Sequence, residues 1–297
     1  MTKLILVLSV YLIFISCTNS ETPRFDQEKA FSFLEEQCEI GPRNPGSEEI
    51  KLCREYISSQ LENFNADISY QEFQVEISGV EYQGVNIAAG FYPRMSRRIL
   101  LGAHYDTRPW ADKDPDPENH YKPIIGANDA ASGVAVLLEI ARHLSLQAPA
   151  QFGVDLIFFD LEDMGSYGTN DTWCLGSRYY ADHYSDALPE KAIIVDMVGD
   201  KKQQLKMEYY SYHNSPALVN EVWDTGRNLG YKNFRHVIEN MIFDDHVPLI
   251  RAGFNAIVII DFDYDYWHTL EDTVDKCSSE SLFVVGQTLL EIIYGKE

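Results

Sequence analysis

The chain has few basic residues and few cysteines for its length of 297 residues. It contains 24 Lys and Arg against 46 Asp and Glu, so its formal net charge is −22. Nucleic acids and anionic membrane surfaces bind basic protein surfaces, so this charge argues against both as partners. The 5 cysteines include no Cys-x-x-Cys pair, which argues against a thiolate metal site. A soluble enzyme, an acidic binding module and a site rich in carboxylates all remain open.

Long apolar runs are also missing, apart from one near the N-terminus. Residues 4–16 are almost wholly apolar, too short a run to span a bilayer but typical of a signal-peptide core. A small residue directly before Cys17 resembles a bacterial lipobox. We therefore expect a signal peptide over 1–16, lipidation of Cys17 and a tether over 17–24. The mature protein would be anchored on the periplasmic face of a bacterial membrane, or be soluble and periplasmic or secreted.

The remaining cysteines are Cys38, Cys53, Cys174 and Cys277. An exported protein meets an oxidising environment, which permits a disulfide. The spacing does not give a pairing, and free buried thiols are an equal alternative.

No internal repeat, low-complexity segment or polar linker divides the chain, so we expect one domain over residues 25–297. Apolar residues at three-to-four spacing predict helices, and short apolar runs predict strands. The predicted helices are 25–38, 47–63, 130–146, 176–184, 215–229 and 279–294. The predicted strands are 68–77, 83–91, 98–103, 154–160, 191–198 and 256–260. This alternation predicts a single-domain α/β/α sandwich with a mixed central sheet.

Acidic and imidazole side chains, with an adjacent Asn and Trp, lie at or after the ends of four predicted strands and just before one predicted helix. They are His104, Asp106, Asn128, Asp129, Asp160, Glu162, Asp163, Asp196, Trp267 and His268. Each motif has a plainer interpretation as a helix cap, a solvated turn or a core aromatic. Because ligand sites form at the carboxyl ends of strands, we expect these groups to converge. A bound divalent cation would remove the repulsion between the carboxylates, and imidazole with carboxylates suits catalytic Zn²⁺.

Six segments in the same order resemble the zinc aminopeptidase/glutaminyl cyclase (M28) superfamily. They are GAHYDTR, GANDAASGVAVLLEIAR, LIFFDLED, CLGSR, DDHVPLIRAG and YWHTLEDT. The resemblance covers about residues 25–295 and implies a zinc-exopeptidase-like α/β/α fold. By the same resemblance, metal ligands fall on Asp129, Asp163 and His268, and the general acid/base falls on Glu162.

Aminopeptidases of this superfamily hold two zinc ions, and their additional ligands fall on His104 and Asp196. Asp106 would orient the imidazole of His104 from outside the ligand shell. Since all these positions are occupied here, the ligands alone leave the number of zinc ions open.

Three features resemble the glutaminyl-peptide cyclotransferase branch. Trp267 directly precedes His268, and a segment ending in Trp173 follows the Glu-Asp pair; both tryptophans would bind substrate. Asp244 begins a segment similar to the one that supplies a proton-relay carboxylate, with Asp196 as its expected partner. Two departures are that Asp163 stands where the superfamily usually has Glu, and that the strand 256–260 lacks the His of animal cyclases.

The resemblance thus implies an acyltransferase that converts N-terminal Gln to pyroglutamate and releases ammonia. Its catalytic residues would be Glu162, Asp196 and Asp244, with one zinc ion. The alternative is an aminopeptidase with two zinc ions. We expect Gln-initiated peptides or secreted proteins as partners, a monomeric state, and contact with a membrane only through the lipid anchor.

Overall fold

The computed structural model describes residues 22–295. The predicted signal peptide, the lipidation site Cys17 and most of the predicted tether lie outside this range. Within it, no helix combines the length and the apolarity that crossing a membrane requires.

Six strands form the central sheet. They are β1 (Asp67–Ile77), β2 (Val80–Phe91), β3 (Arg98–His104), β4 (Gly153–Phe159), β5 (Lys191–Asp196) and, last in the chain, Ala256–Ile260. Two further strands, β6 (Leu205–Met207) and β7 (Phe234–Ile238), pair with each other, so the strand Ala256–Ile260 is β8. The order across the sheet is β1-β2-β4-β3-β5-β8. The first two pairings are antiparallel and the other three are parallel, which confirms the predicted mixed sheet.

Eight α-helices accompany the strands within the described part of the chain. They are α1 (Gln27–Ile40), α2 (Glu48–Asn63), α3 (Ala131–Leu146), α4 (Leu175–Asp182), α5 (Tyr209–Asn214), α6 (Pro216–Asn228), α7 (His246–Arg251) and α8 (Ser279–Tyr294). Side-chain caps define several starts. Asp26, Ser47 and Ser278 each accept a main-chain N–H from the first turn of α1, α2 and α8, respectively.

Both faces of the sheet are covered, and β8 shows how. Ile257 and Ile259 point into the core shared with α1, α3, α6 and α8. Their neighbours Ala256, Val258 and Ile260 point into the core that contains residues of α4 and α7. Because successive strand residues face opposite sides, an uninterrupted apolar strand needs cover on both. The predicted α/β/α sandwich is confirmed.

The parallel strands direct their carboxyl ends to one edge of the sheet. His104 is the last residue of β3, and Asp196 is the last residue of β5. Asp160 follows β4 directly. This edge is where the candidate site lies, as expected for an open α/β sheet.

The structure differs from the predicted elements mainly around residues 198–251. The strand predicted over 191–198 ends at Asp196, and the chain then turns with a positive φ of 46° at Met197. The short elements β6, α5, β7 and α7 were not predicted. The helices α5 and α7 span fewer than two helical turns, and β6 and β7 lack the continuous apolar run that marks β8.

Candidate active site

Asp129, Asp163 and His268 form a buried cluster at the sheet edge. Nε2 of His268 lies 3.3 Å from Oδ1 of Asp163 and 3.5 Å from Oδ2 of Asp129. Asp129 reaches the cluster from the loop before α3, and Asp163 from the turn after β4. The three ligand atoms are close enough together to hold one metal ion.

A second cluster contains His104, Asp196 and again Asp129. Nε2 of His104 lies 3.2 Å from Oδ1 of Asp129 and 3.2 Å from Oδ1 of Asp196. Burial disfavours a charged imidazole, but Asp196 and the other nearby carboxylates raise the pKa of His104 well above its usual value. Because each oxygen of Asp129 faces a different histidine, its carboxylate can serve both clusters.

The donor atoms of the first cluster fit a divalent cation. Oδ2 of Asp163 is buried and has no hydrogen-bond partner within the described residues, although buried carboxylate oxygens rarely remain unpaired. One imidazole and two carboxylates, without a thiolate, form a donor set typical of zinc sites that keep an open position. These residues therefore suit zinc, and the two clusters leave room for one or two ions.

Two buried aspartates hold the turns that present the ligands. The carboxylate of Asp106 accepts the N–H groups of Glu162 and Asp163 at 3.0 and 3.1 Å. The carboxylate of Asp272 accepts the N–H groups of Asn128 and Asp129 at 2.9 and 3.2 Å. Each aspartate thus fixes two consecutive peptide groups at a turn that ends in a metal-ligand candidate.

Asp106 approaches His104 mainly through its main chain. The carbonyl oxygen of Asp106 lies 3.1 Å from Nδ1 of His104, whereas its carboxylate Oδ1 is 3.6 Å away. The carboxylate is instead engaged by the peptide groups of the β4 turn. Asp106 therefore supports both clusters, each through a different group.

Glu162 lies beside the first cluster with its carboxylate buried. Burial raises the pKa of Glu162 well above its usual value; His104 opposes this, and Asp163, Asp245 and Asp244 add to it. The thiol of Cys174 donates to Oε1 of Glu162 at 3.1 Å. A buried carboxyl with a raised pKa that opens onto a cavity is suited to accept and return a proton.

Of the other predicted relay residues, Asp244 lies with a carboxylate oxygen within 4.8 Å of one of Glu162, and Asp196 lines the same cavity. Burial raises the pKa of Asp196 to about 7 against the lowering effect of His104. Burial also raises the pKa of Asp244, whose Oδ2 has no hydrogen-bond partner among residues 22–295. Asp245, next in the chain and fully buried, has its pKa raised by burial and by Asp244. Because these carboxyl groups are close together and buried, the ionisation of one raises the pKa of the others, and a proton can be shared among them.

Aromatic rings enclose the space above these acids. The cavity has a volume of about 270 Å³ and is lined by Asp129, Glu162, Tyr167, Trp173, Asp196, Asp244, Phe262, Trp267, His268 and residues 241–243 among others. The rings of Trp173 and His268 are nearly parallel, with centroids 6.2 Å apart, and the ring of Trp267 lies 3.9 Å from that of His268. Both predicted substrate-binding tryptophans therefore border the same cavity as Glu162.

The interpretation of Asn128 and Asp129 as helix caps is wrong. Ala130 is the cap residue of α3, and no side chain caps that helix. The side chain of Asn128 instead accepts the N–H of Gly199.

The four cysteines of the described residues, for which a disulfide and free buried thiols were equal alternatives, form no disulfide. Cys38, Cys53, Cys174 and Cys277 are all buried and free.

Sequence reasoning missed four residues of the site: Arg108, Tyr167, Cys174 and Asp272. The hydroxyl of Tyr167 lies 2.9 Å from Nδ1 of His268, and Arg108 donates to Asp163. Cys174 and Asp272 bind the residues described above. Arg108 and Asp272 lie inside segments already singled out, but a single sequence shows no sign that distinguishes their side chains from surface charges.

Comparisons with known proteins show which family the chain is similar to. Peptidase family M28 matches residues 86–293. Aminopeptidase YwaD of Bacillus subtilis (strain 168) is 27% identical over 209 residues, which cover 66% of this chain and 40% of that protein. The glutaminyl-peptide cyclotransferase of Gloydius blomhoffii is 24% identical over 286 residues, which cover 84% of this chain and 76% of that protein.

A solved structure extends the likeness over the whole described fold. The glutaminyl cyclase of Bacteroides thetaiotaomicron, bound to N-acetylhistamine, matches with a TM-score of 0.90 and 37% sequence identity. The match covers 93% of this chain and 100% of that one. The family match spans β3, β4, β5 and β8, the strands whose ends position the candidate ligands. The chain belongs to peptidase family M28.

Proposed function

We propose that this protein is a zinc-dependent glutaminyl-peptide cyclotransferase that converts N-terminal Gln to pyroglutamate and releases ammonia. The observation that supports it most strongly is the placement of Trp173 and Trp267 beside His268, over the buried carboxylate of Glu162. A small cavity with aromatic walls suits the flat, uncharged amide of Gln. The similarity to a solved glutaminyl cyclase along almost the entire chain points the same way.

Asp129, Asp163 and His268 would hold the zinc ion, and one ion is sufficient for the proposed reaction. Zinc bound there supplies a Lewis acid that polarises the side-chain carbonyl of the substrate Gln. His104 and Asp196 would then remain outside the ligand shell. Their short contact is satisfied without an ion, since imidazole and carboxylate can form an ion pair.

Glu162 would transfer the proton. Its carboxylate accepts a proton from the α-amine of the substrate as that amine attacks the side-chain carbonyl carbon, and returns the proton to the departing amide nitrogen. Asp196 and Asp244 would keep Glu162 in a usable protonation state by sharing protons with it. The raised pKa values of the three carboxyls support this role.

The aromatic walls would hold the substrate in a cyclic conformation. The nucleophile and the carbonyl belong to the same residue, so orientation replaces the cost of bringing two molecules together. Trp173 and Trp267 are both half-buried and line the cavity, so both rings can contact a ligand there.

The direct test is to incubate the zinc-loaded protein with a Gln-initiated peptide and to measure the product mass and free ammonia. The proposal predicts loss of one ammonia per peptide and no shortening of the chain. Glu162→Gln should abolish turnover and retain zinc. Release of free amino acids from a Leu-initiated peptide, without ammonia loss from the Gln peptide, would overturn the proposal.

A dizinc aminopeptidase is the second candidate, because Asp129 is shared between two ligand clusters and YwaD is among the relatives. Metal analysis separates the two. Two zinc equivalents together with removal of N-terminal residues would support the aminopeptidase.

For the cellular setting, we propose a lipoprotein anchored through Cys17 on the periplasmic face of a bacterial membrane. The enzyme would act as a monomer on Gln-initiated peptides or secreted proteins. Incorporation of labelled fatty acid that is lost in Cys17→Ser tests the anchor, and sedimentation tests the monomeric state.

A further inference from the structure

We infer that Arg108 and Asp112 form one positioning unit that serves both the metal centre and the substrate pocket. The unit holds two of the three predicted zinc ligands, Asp163 and His268, and the same guanidinium anchors the segment that ends in Trp173. Neither residue has a role in the proton transfer proposed above. The part of the inference that concerns substrate affinity rests on the proposed function, and the part that concerns zinc does not.

Arg108 binds the ligand candidate Asp163 twice. Its Nη1 donates to the carboxylate Oδ1 at 3.0 Å and to the main-chain oxygen at 3.1 Å. Both side chains are almost completely buried, with exposed fractions of 2% and 1%. A buried guanidinium requires compensation, and Oδ1 of Asp163 is thereby fixed while Oδ2 stays unpaired and available to a cation.

Asp112 completes the ion pair and extends it to the histidine. Nε and Nη2 of Arg108 donate to its two carboxylate oxygens at 3.0 and 2.6 Å, which is a bidentate arrangement. Oδ1 of Asp112 also lies 3.5 Å from Nδ1 of His268. Nε2 of His268 faces the metal cluster, so with a metal bound there Nδ1 carries the hydrogen, and its neighbours are the hydroxyl of Tyr167 at 2.9 Å and the carboxylate of Asp112. Such a partner sets the tautomer and the ring orientation of a metal-binding histidine.

The same guanidinium holds the pocket wall. Nη2 of Arg108 donates to the main-chain oxygen of Gly165 at 3.1 Å. Its central carbon lies 5.0 Å from the ring centroid of Trp173 and 5.4 Å from that of Tyr167, within the range of cation–π attraction. A Cβ atom on Gly165 would overlap the indole of Trp173, so the ring packs directly on this backbone. Arg108 therefore fixes both the backbone under Trp173 and the face of its ring.

Arg178 provides a matched control. Its Nε donates to the main-chain oxygen of Trp173 at 2.9 Å, and its Nη2 donates to that of Asn170. It thus anchors the same wall segment with the same chemical group. Among the contacts described within residues 22–295, Arg178 binds neither Asp163 nor His268. Variants of Arg108 and Arg178 should therefore disturb the wall alike and differ at the metal.

The experiment compares Arg108→Gln, Asp112→Ala and Arg178→Gln with the wild type. Zinc affinity is measured by competition with a chromophoric chelator in the absence of peptide, and kcat and KM are measured with a Gln-initiated peptide. We expect zinc affinity to fall 10- to 100-fold in the first two variants and to stay unchanged in Arg178→Gln. KM should rise in both arginine variants. Arg108→Lys should restore only part of the zinc affinity, because an ammonium cannot form the bidentate contact.

Wild-type zinc affinity in both Arg108→Gln and Asp112→Ala would overturn the inference. An equal loss of zinc affinity in Arg178→Gln would also overturn it, because any disturbance of the wall would then act on the metal. Asp112 is partly exposed and its variant keeps the test open if Arg108→Gln fails to fold. The zinc-affinity measurement gives its result even if the wild type shows no cyclase activity. The positioning role of Arg108 and Asp112 and the proposed cyclase function can therefore fail separately.

Discussion

The thiol of Cys174 donates a hydrogen bond to Oε1 of Glu162, with 3.1 Å between sulfur and oxygen. The N–H of Cys174 also donates to the main-chain oxygen of Glu162 at 2.9 Å. Cys174 has a positive φ of 55°, a conformation that side chains other than glycine seldom adopt. Burial raises the pKa of this thiol well above its usual value, so it stays protonated and acts as a donor. Cys174 therefore orients the carboxylate proposed to transfer the proton.

Replacing Cys174 should change the rate without changing metal content. Cys174→Ala removes the donor and should lower kcat about fivefold, corresponding to about 1 kcal/mol, with KM and zinc unchanged. Cys174→Ser supplies a hydroxyl donor and should retain most of the rate. Steady-state kinetics with metal analysis checks this, and equal rates for the alanine variant and the wild type would contradict it.

The two histidines should differ in their effect on zinc. His268→Ala removes a ligand of the proposed ion and should leave the protein without stoichiometric zinc. His104→Gln should keep one equivalent, because that residue lies outside the proposed ligand shell. Elemental analysis after dialysis against a weak chelator measures both. Two equivalents in the wild type that fall to one in His104→Gln would show a second occupied site.

The raised pKa of buried Asp261 should make the stability of the protein depend on pH. Burial raises the pKa of Asp261 to about 6, although N–H groups of Gln204 and Asp263 favour its ionised form. The folded-state pKa lies above the unfolded value of 3.8, so the folded protein binds this proton more tightly. Ionised Asp261 therefore costs stability above pH about 6, and this cost disappears as the pH falls below about 4.

The amide in Asp261→Asn cannot ionise, so this variant should lack the loss of stability that ionised Asp261 causes. The free energy of unfolding of the variant, minus that of the wild type, should rise by about 2 to 3 kcal/mol between pH 4 and 7. Urea denaturation at several pH values measures the difference. The subtraction cancels the pH dependence of zinc binding, which both proteins share. A difference that stays constant, or that falls as the pH rises, would refute the assignment.

The strands β3, β4, β5 and β8 could be predicted because they are largely apolar on both faces. The run Ala256–Ile260 has no polar residue, and that pattern is stable only between two layers of helices. The convergence of the acidic and imidazole residues could be predicted for a second reason, which is that the carboxyl ends of parallel strands lie at one edge of the sheet. The helix His246–Arg251 was not predictable, since six residues with one proline show no helical period.

The supporting contacts of the site required the fold. Asp272 binds the peptide groups of Asn128 and Asp129 across more than a hundred residues of sequence. The hydrogen bonds that Arg108 donates to Asp163 and Gly165 also join segments that are distant in sequence. Local patterns identify which residue types can bind a metal, whereas the partners that orient those residues depend on how the loops pack.

The most direct test places two peptides in one vessel with the zinc-loaded protein. The peptides differ only at the first residue, Gln in one and Leu in the other, and their masses are followed together over time. We expect the Gln peptide to lose ammonia while the Leu peptide stays intact, and Glu162→Gln to leave both peptides unchanged. Shortening of the Leu peptide with no ammonia lost from the Gln peptide would contradict the proposed function.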